Sequence, residues 1–474
     1  MAFDLTSRLL TTGEDKPTAV VVAVQLPNVT DEELDSSMSE LERLAKTMGL
    51  DPVGRMTQRR AGLATGVVFG EGKLEELASW TGGTGKLEAY VKPGTKKRDE
   101  DDDEDLEDDD REDAGDAAAA SDDGAEKPAP RAKVVLVDHD LSPTQQRNLE
   151  KITGVVVLDR TSVILEIFHR HAKTREARLQ VEIARLKYLS PRLREGGGGG
   201  DRVRGGVGAK GAGETTLELD RRRIRDRIAE LKQELSQIEG GSKVRRERRS
   251  DLPTVALVGY TNAGKSSLMR ALTSSEVYIA DKLFATLDTT IRRLAPATEP
   301  PILITDTVGF IKKLPHDLVA SFRSTLDEAG DADLLLHVVD AADPAIADQL
   351  AVTRTVLAEI GADAVPTWLV LNKIDCVDEA GRAALTDHYP GALQLSAKDR
   401  ADVATLREKL IEHFSGALEE AELEVPYSMQ KVAHLIHERT TVLSETHEDA
   451  GTRFKVRAPG RVIESLRDTL KPTN

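Results

Sequence analysis

The octapeptide GYTNAGKS, which begins at Gly259, has the residue types and the spacing to hold a chain of phosphates. It matches the pattern GxxxxGK[ST], in which small residues let successive backbone N–H groups surround phosphate oxygens at the start of a helix. Lys265 would reach the β- and γ-phosphates, and the hydroxyl of Ser266 would bind Mg²⁺. The predicted phosphate-binding residues are Gly259, Tyr260, Thr261, Asn262, Ala263, Gly264, Lys265 and Ser266.

A second motif, DTVG, follows an apolar stretch at residues 301–305 and begins 41 residues after Lys265. Its spacing is that of DxxG, in which the aspartate acts on Mg²⁺ and the glycine amide senses the γ-phosphate. We expect Asp306 to hold Mg²⁺ through a water molecule. The residues predicted to contact the nucleotide here are Asp306, Thr307, Val308 and Gly309.

A third motif, NKID at residues 372–375, selects the base. The carboxylate of Asp375 can accept hydrogen bonds from the ring N–H and the exocyclic amine of guanine, whereas adenine has an acceptor in place of that ring donor. Sites built on such hydrogen bonds discriminate on the order of 10⁴-fold. The tripeptide SAK would close over the base. The predicted base-binding residues are Asn372, Lys373, Ile374, Asp375, Ser396, Ala397 and Lys398.

The segment FATLDTT at residues 284–290 lies between the first two motifs and is predicted to be the switch segment that closes on Mg²⁺ when the γ-phosphate is present. Thr286, 20 residues after Ser266, is the threonine that we favour as the Mg²⁺ ligand, with Thr289 and Thr290 as alternatives. Lys265, Thr286 and Gly309 are assigned to catalysis. The predicted nucleotide-contacting residues of this segment are Phe284, Ala285, Thr286, Leu287 and Asp288.

Phe310 stands where Ras-like enzymes place the glutamine that orients the attacking water. The sequence therefore predicts a Mg²⁺-dependent GTPase that is slow in isolation and faster when a partner orders its switch segments. Asn262 resembles the asparagine of potassium-dependent GTPases, in which K⁺ replaces an arginine finger. The alternative is an ordinary loop residue.

The elements that must position these motifs indicate an α/β fold, because each motif follows a predicted strand. We predict a P-loop GTPase domain, preceded by a small α/β N-terminal domain with a helical hairpin and followed by a small α/β C-terminal domain. In the N-terminal domain the predicted strands are 19–24, 65–69, 133–137 and 155–158, and the predicted helices are 31–48, 71–80 and 143–152. The predicted domains are residues 1–160, the hairpin 161–242, a basic linker 243–250, the GTPase domain 251–415 and the C-terminal domain 416–474, which should contain a helix, a strand and a helix.

The predicted hairpin combines a heptad seam with a loop of high glycine content at residues 196–213. Leu217, Ile224, Ile228, Leu231, Leu235 and Ile238 form the seam, and Ile164, Phe168, Leu179, Ile183 and Leu186 would pack against it. The cations of the loop favour contact with RNA phosphates over a plain linker. The basic cluster at residues 243–249 fits RNA contact or a linker equally well.

The net charge of −17 comes mostly from residues 99–113, which hold thirteen carboxylates and one arginine. Residues 96–130 are therefore predicted to form a disordered acidic insert. The alternative is that this insert mimics the charge of RNA and competes for basic partners. The sequence has no stretch of transmembrane length and no signal peptide, so we expect a cytoplasmic protein without stable membrane insertion. Cys376, the single cysteine, excludes an intramolecular disulfide and is expected to be a small buried residue.

The chain resembles the HflX-type GTPases of the translation-factor-related class. The resemblance rests on GYTNAGKSSL and LFATLD together with the strings GEGKLEEL, LSPTQQRNLE, VLDRTSVILEIFHRHAKTREARLQVEIARLKYLSPRL and LELDRRRIRDRI. It implies a GTPase that binds the 50S subunit and rRNA and helps to split stalled ribosomes under stress. We expect the protein to be a monomer. It also implies an N-terminal domain that can bind ATP, for which Gly70, Gly72 and Lys73 are the nearest match to a phosphate loop. The alternative function is a GTP-gated module that binds RNA or a complex with little turnover.

Overall fold

The computed structural model describes residues 16–86, 132–193, 216–249, 252–274, 283–284, 289–298, 301–313, 318, 328–416, 418–448 and 450–470. The predicted acidic insert and the Gly-rich loop lie outside these residues. The chain divides into two compact units, residues 1–160 and 161–474. Among the described helices, none combines the length and the apolar composition needed to cross a membrane.

The first unit is a four-stranded parallel sheet in the order β2-β1-β3-β4 with helices between its strands. Two of the helices start at capping boxes, in which Thr30 pairs with Glu33 and Ser142 pairs with Gln145. These caps fix the helix starts that the sequence predicts. The elements are β1 (Thr18–Gln25), α1 (Asp31–Met48), β2 (Asp51–Arg59), α2 (Glu71–Thr81), β3 (Val134–Val137), α3 (Pro143–Thr153) and β4 (Val156–Asp159).

The predicted strand at residues 65–69 is wrong, because no strand forms there and β2 takes its place in the sheet. Val68 and Phe69 are buried in the hydrophobic core without joining the ladder, which explains the misleading apolar run. Strand β2 lies at the edge of the sheet and has a single buried residue, so it lacks the continuous apolar pattern of a central strand.

The predicted hairpin is present, and its first arm consists of two helices rather than one. The break falls at residues 172–174, where Thr174 caps the second helix. Leu179, Ile183 and Leu231 form the buried centre of the seam, and Leu186, Ile228, Leu235 and Ile238 pack against them. The last helix continues through most of the predicted linker. The elements are α4 (Arg160–His171), α5 (Arg175–Leu189) and α6 (Thr216–Arg249).

The nucleotide-binding motifs lie on a six-stranded sheet in the order β10-β9-β8-β5-β7-β6, parallel except for β6. The central strands are buried on both faces, because α7 and α10 cover one face and α8 covers the other. The elements are β5 (Thr254–Gly259), α7 (Lys265–Thr273), β6 (Thr290–Arg293), β7 (Leu303–Asp306), β8 (Leu334–Asp340), α8 (Ile346–Glu359), β9 (Thr367–Asn372), α9 (Glu379–His388), β10 (Leu393–Gln394) and α10 (Arg400–Gly416).

The C-terminal part is a three-stranded antiparallel sheet with two helices on one face. The predicted helix–strand–helix order is incomplete, because the first and second strands of this sheet were not predicted. Both are edge strands in which charged residues face solvent, as in the exposed second half of β12. The elements are β11 (Leu418–Pro426), α11 (Gln430–Arg439), β12 (Thr441–Glu448), β13 (Gly451–Pro459) and α12 (Gly460–Leu470).

Candidate nucleotide-binding site

The phosphate loop joins β5 to the N-terminus of α7, and its two glycines are sterically required. Gly259 has φ +143°, and a Cβ there would lie 2.1 Å from the carbonyl oxygen of Val338. Gly264 caps α7 at φ +93°, and its Cβ would lie 2.2 Å from Nδ2 of Asn372. Only glycine fits either position, so the backbone N–H groups at the start of α7 stay open to an anion.

Lys265 is held at the phosphate loop by the loop's own backbone. Its Nζ donates to the carbonyl oxygens of Gly259 at 3.0 Å and Tyr260 at 2.9 Å. Burial lowers the pKa of Lys265 to about 8, and the nearby carboxylate of Asp306 opposes this shift. An ammonium group has three donors, so a third remains for a phosphate oxygen. A bound phosphate would favour the charged form further.

Two of the three residues predicted to bind Mg²⁺, Ser266 and Asp306, meet where β7 ends and α7 begins. The hydroxyl of Ser266 donates to Oδ2 of Asp306 at 2.6 Å, and Asp306 is fully buried. The buried Oγ1 of Thr261 has no hydrogen-bond partner among the described residues. Hydroxyl and carboxylate oxygens are the donors that Mg²⁺ prefers, so these residues fit a Mg²⁺–phosphate complex. The described residues contain no cluster of three or more His, Cys, Asp or Glu that would bind a different kind of metal.

The DxxG segment lies against the phosphate loop. A Cβ on Gly309 would lie 2.8 Å from Cγ2 of Thr261 and 3.1 Å from Nζ of Lys265, so a side chain is excluded there. Thr307 anchors the segment by donating its hydroxyl to the carbonyl of Leu257 at 2.7 Å, and Val308 is buried. The ring of Phe310 is buried in the core beneath α8 and cannot orient a water molecule.

The base-recognition motif is joined to the phosphate loop by Asn372. Its Nδ2 donates to the carbonyl of Ala263 at 2.8 Å, and its Oδ1 accepts the N–H of Ala397 at 3.0 Å. Lys373 has φ +62°, and its ammonium group pairs with Asp340 at 2.7 Å. The side chain of Asn372 therefore links the NKID motif to both the phosphate loop and the SAK tripeptide.

Asp375 is oriented by the SAK tripeptide. The hydroxyl of Ser396 donates to Oδ1 of Asp375 at 2.7 Å, and Nζ of Lys398 lies 3.7 Å from Oδ2. The hydrogen bond from Ser396 is the main reason that the pKa of Asp375 is below its usual value. The carboxylate therefore stays ionised and able to accept hydrogen bonds from guanine. Ile374, Asp375, Ser396 and Lys398 line a cleft of about 870 Å³.

Cys376 corrects the prediction of a buried cysteine, because it is exposed beside Asp375. Its sulfur lies 3.7 Å from Oδ2 of Asp375. The residue follows the motif in a short 3₁₀ turn after β9, so it lies at the mouth of the base site and not in the core.

The switch segment is only partly described. Ala285, Thr286, Leu287 and Asp288 lie outside the described residues. Phe284 is buried at φ +57°, and its ring meets that of Phe168 edge to face at 4.5 Å. Of the alternative threonines, Thr290 begins β6 and pairs with Asp306 in the ladder.

Three positioning residues were not singled out for these roles from the sequence. Asp340 holds Lys373, Oδ2 of Asp402 accepts the N–H of Ser396 at 2.8 Å, and the hydroxyl of Tyr260 accepts the N–H of Lys312 at 2.7 Å. Asp340 ends β8, and the carboxyl ends of parallel strands carry the sites of open α/β sheets, so a signal existed for it.

Comparison with known proteins gives matches to three family models along the chain. "GTP-binding GTPase N-terminal" matches residues 35–87 and 123–169, "GTP-binding GTPase Middle Region" matches 171–249, and "50S ribosome-binding GTPase" matches 254–373. A solved GTP-binding protein from Sulfolobus solfataricus, in complex with GDP, is 22% identical over 84% of this chain and 98% of that one, with a TM-score of 0.41.

Two relatives called GTPase HflX align over much of the chain. The protein from Gluconacetobacter diazotrophicus is 54% identical over 96% of this chain and 98% of its own length. The protein from Escherichia coli K12 is 44% identical over 69% of this chain and 78% of its own length. With its motifs on one P-loop sheet, this chain belongs to the HflX family of GTPases, which bind GTP and GDP and hydrolyse GTP.

Proposed function

We propose that this GTPase acts on the large ribosomal subunit, where it binds the 50S particle through rRNA and splits or rescues stalled ribosomes under stress. The main support is the match of residues 254–373 to the family described as a 50S ribosome-binding GTPase. Its site of action would be the cytoplasm, and it would work as a monomer. GTP binding would favour the form of the protein that binds the ribosome, and hydrolysis to GDP would release the protein from the subunit.

The hairpin supplies a surface suited to rRNA. Near the start of α6 five exposed arginines lie within seven residues: Arg221, Arg222, Arg223, Arg225 and Arg227. Arg227 pairs with Glu182 at 3.3 Å across the hairpin and with Glu230 at 3.2 Å. Exposed guanidinium groups can exchange such weak surface pairs for phosphates. The Gly-rich loop at residues 196–213 connects the two arms at this end of α6.

The proposed cofactor is Mg²⁺, held by Ser266 and Thr286 and by Asp306 through water. Bound Mg²⁺ would neutralise the developing phosphate charge. Lys265 would stabilise the same charge, and the Gly309 amide would bind the γ-phosphate. Phe310, at the position of the water-orienting glutamine of Ras-like enzymes, is buried and cannot orient the attacking water. We therefore expect slow hydrolysis until the ribosome orders the switch segments.

The first experiment measures GTP hydrolysis in potassium buffer with and without 50S subunits. The wild-type protein should be strongly stimulated, and Lys265→Ala should lose the stimulated activity because it lacks the phosphate-binding ammonium group. Lys431→Ala, an exposed lysine of α11, is the matched control and should behave as wild type. Equal wild-type rates with and without subunits would contradict the ribosome proposal.

The second candidate is a GTP-gated binding module with little turnover. A variant that lacks residues 196–213 separates the two functions. On the ribosome proposal it keeps its affinity for GDP and GTP and loses its association with 50S subunits. If the variant still binds 50S subunits, the hairpin loop is not the contact with the ribosome. That result would favour the GTP-gated binding module.

Two further ligands belong to this proposal. K⁺ at Asn262 would make hydrolysis faster in KCl than in NaCl, and Asn262→Ala should remove that difference.

ATP at the N-terminal domain would use Gly70, Gly72 and Lys73 at the start of α2. There Nζ of Lys73 pairs with Glu76 at 2.6 Å, so a phosphate would have to compete with this carboxylate. ATP titration of the Lys73→Ala variant, with Lys86→Ala as control, tests that site.

A further inference from the structure

Tyr260 belongs to the phosphate loop, and its side chain reaches the segment that follows DxxG. The tyrosine is only 5% exposed, and its hydroxyl oxygen accepts the backbone N–H of Lys312 at 2.7 Å. A buried hydroxyl with a short bond to a backbone amide is a specific contact, because leaving that amide unpaired costs free energy.

The backbones of the two segments are joined at the same place. The N–H of Thr261 donates to the carbonyl of Phe310 at 2.8 Å, and the N–H of Phe310 donates to the carbonyl of Gly259 at 3.1 Å. These bonds form a parallel bridge between Tyr260 and Phe310. With the phenol, three hydrogen bonds hold the residues after Gly309 to the phosphate loop.

This connection determines where Gly309 lies relative to Lys265. A Cβ on Gly309 would lie 3.1 Å from Nζ of Lys265, and the same Nζ donates to the carbonyl of Tyr260 at 2.9 Å. Tyr260 therefore contacts the phosphate-binding ammonium through its backbone carbonyl, and through its side chain it contacts the amide of Lys312, three residues after Gly309.

Lys312 is also held through its side chain. Its Nζ pairs with Asp348 on α8 at 2.9 Å. The residue three positions after Gly309 is thus fixed by the phosphate loop at its backbone and by α8 at its side chain. A shift at Lys312 would move the glycine amide that senses the γ-phosphate.

We propose that Tyr260 is a positioning residue for GTP hydrolysis, whose hydroxyl keeps Gly309 at the γ-phosphate by holding the amide of Lys312. GDP has no γ-phosphate and makes no use of that glycine. The hydroxyl should therefore matter for GTP and for its hydrolysis and should not matter for GDP.

The test uses Tyr260→Phe, which removes the hydroxyl and keeps the ring. Single-turnover GTP hydrolysis by the isolated full chain should fall about three- to tenfold, the factor that one ordinary hydrogen bond supplies. The dissociation constant for GTPγS should rise by a similar factor, whereas that for GDP should stay within about twofold. Unchanged GDP binding also shows that the variant is folded.

Tyr427→Phe is the matched control. The hydroxyl of Tyr427 donates to the carbonyl of Glu448 at 2.9 Å in the C-terminal domain, outside the nucleotide site. This variant should hydrolyse GTP like wild type. A wild-type rate for Tyr260→Phe, or an equal loss of GDP and GTPγS affinity, would overturn the positioning role. Ribosomes are absent from the assay, so failure here is separate from failure of the ribosome proposal.

Discussion

Asp375 and Ser396 set the pattern of donors and acceptors that a base meets. Ser396 donates to Oδ1 of Asp375, which leaves the carboxylate to accept hydrogen bonds from the base. An asparagine at this position could still accept from Ser396 through its oxygen. Its NH₂ group would then face the base as a donor.

We expect Asp375→Asn to exchange the base preference. GTP affinity should fall by about 100-fold or more, because the guanine amine would meet another donor. XTP, which has a carbonyl in place of that amine, should bind better to the variant than to wild type. Competition titrations against a fluorescent nucleotide measure both changes. Unchanged GTP binding would mean that Asp375 does not contact the base.

The link between α4 and the switch segment rests on Phe168 and Phe284. Both rings are buried, and they meet edge to face at 4.5 Å. Phe168→Ala should destabilise the second unit by about 3 kcal/mol, the usual cost of emptying a buried aromatic site. Urea unfolding followed by Trp368 fluorescence measures the loss.

A double-mutant cycle separates the ring pair from the other contacts of each phenylalanine. Phe168→Leu and Phe284→Leu, alone and together, should give a coupling of about 1 kcal/mol. A coupling near zero would show that the two rings do not interact in solution.

Strand β8 carries a buried histidine whose ionisation should affect stability. Burial is the main cause that lowers the pKa of His337 to about 4, and the charges of Arg354 and Lys265 act in the same direction. Its Nε2 has no hydrogen-bond partner among the described residues. Below pH 6.5 the imidazole of His337 is protonated in the unfolded chain but stays neutral in the folded chain. The free energy of unfolding therefore falls as the pH drops from 6.5 towards 4.

The expected contribution is up to about 3 kcal/mol over that range. His337→Leu and His337→Gln cannot titrate, so both should lose less stability than wild type between pH 7 and pH 4.5. Urea unfolding at several pH values gives the comparison. Parallel curves for wild type and both variants would contradict the lowered pKa.

The sequence predicts the strands that are continuously apolar and the helices that begin at a cap. It does not predict the strands that lack a continuous apolar run. The strands β5, β7 and β9 precede the three motifs as predicted, because parallel strands buried on both faces are continuously apolar. The edge strands β2 and β12 have almost no buried residues, and β11 buries only every second residue between charged ones, so all three lack a continuous apolar run and were missed.

The same distinction applies to the site. GxxxxGK[ST], DxxG and NKxD are local patterns, so the sequence contains them complete. The pairs Tyr260–Lys312 and Asp340–Lys373 join residues that are 52 and 33 positions apart. Asp340 is marked only by its place at the carboxyl end of a strand, and nothing local in the sequence shows which residue each of these side chains will meet.

The whole chain contains two tryptophans, and each lies in a different compact unit. Trp80 packs over Gly54 in the first unit, where a Cβ would lie 2.4 Å from its ring. Trp368 on β9 packs partly buried against the core of the GTPase sheet. Single-tryptophan variants therefore give a separate probe of each unit.

We expect GDP to stabilise only the unit that Trp368 reports. At 100 times its dissociation constant, GDP should add about 2.7 kcal/mol to the stability of that unit. In Trp80→Phe the unfolding midpoint should rise with GDP, and in Trp368→Phe the signal of Trp80 should not move. A common shift of both signals would mean that the two units unfold together.

The hydrogen bond from Asn372 to Ala263 spans 109 residues, and the lid of the base site comes later still, at Ser396 and Asp402. The site is therefore assembled from distant parts of the chain, and its last pieces leave the ribosome late. During synthesis a nascent chain that has exposed its phosphate loop still lacks the residues that recognise guanine. GTP cannot guide the early folding of this protein, and a chain released before Asp402 would have a phosphate loop without a selective nucleotide site.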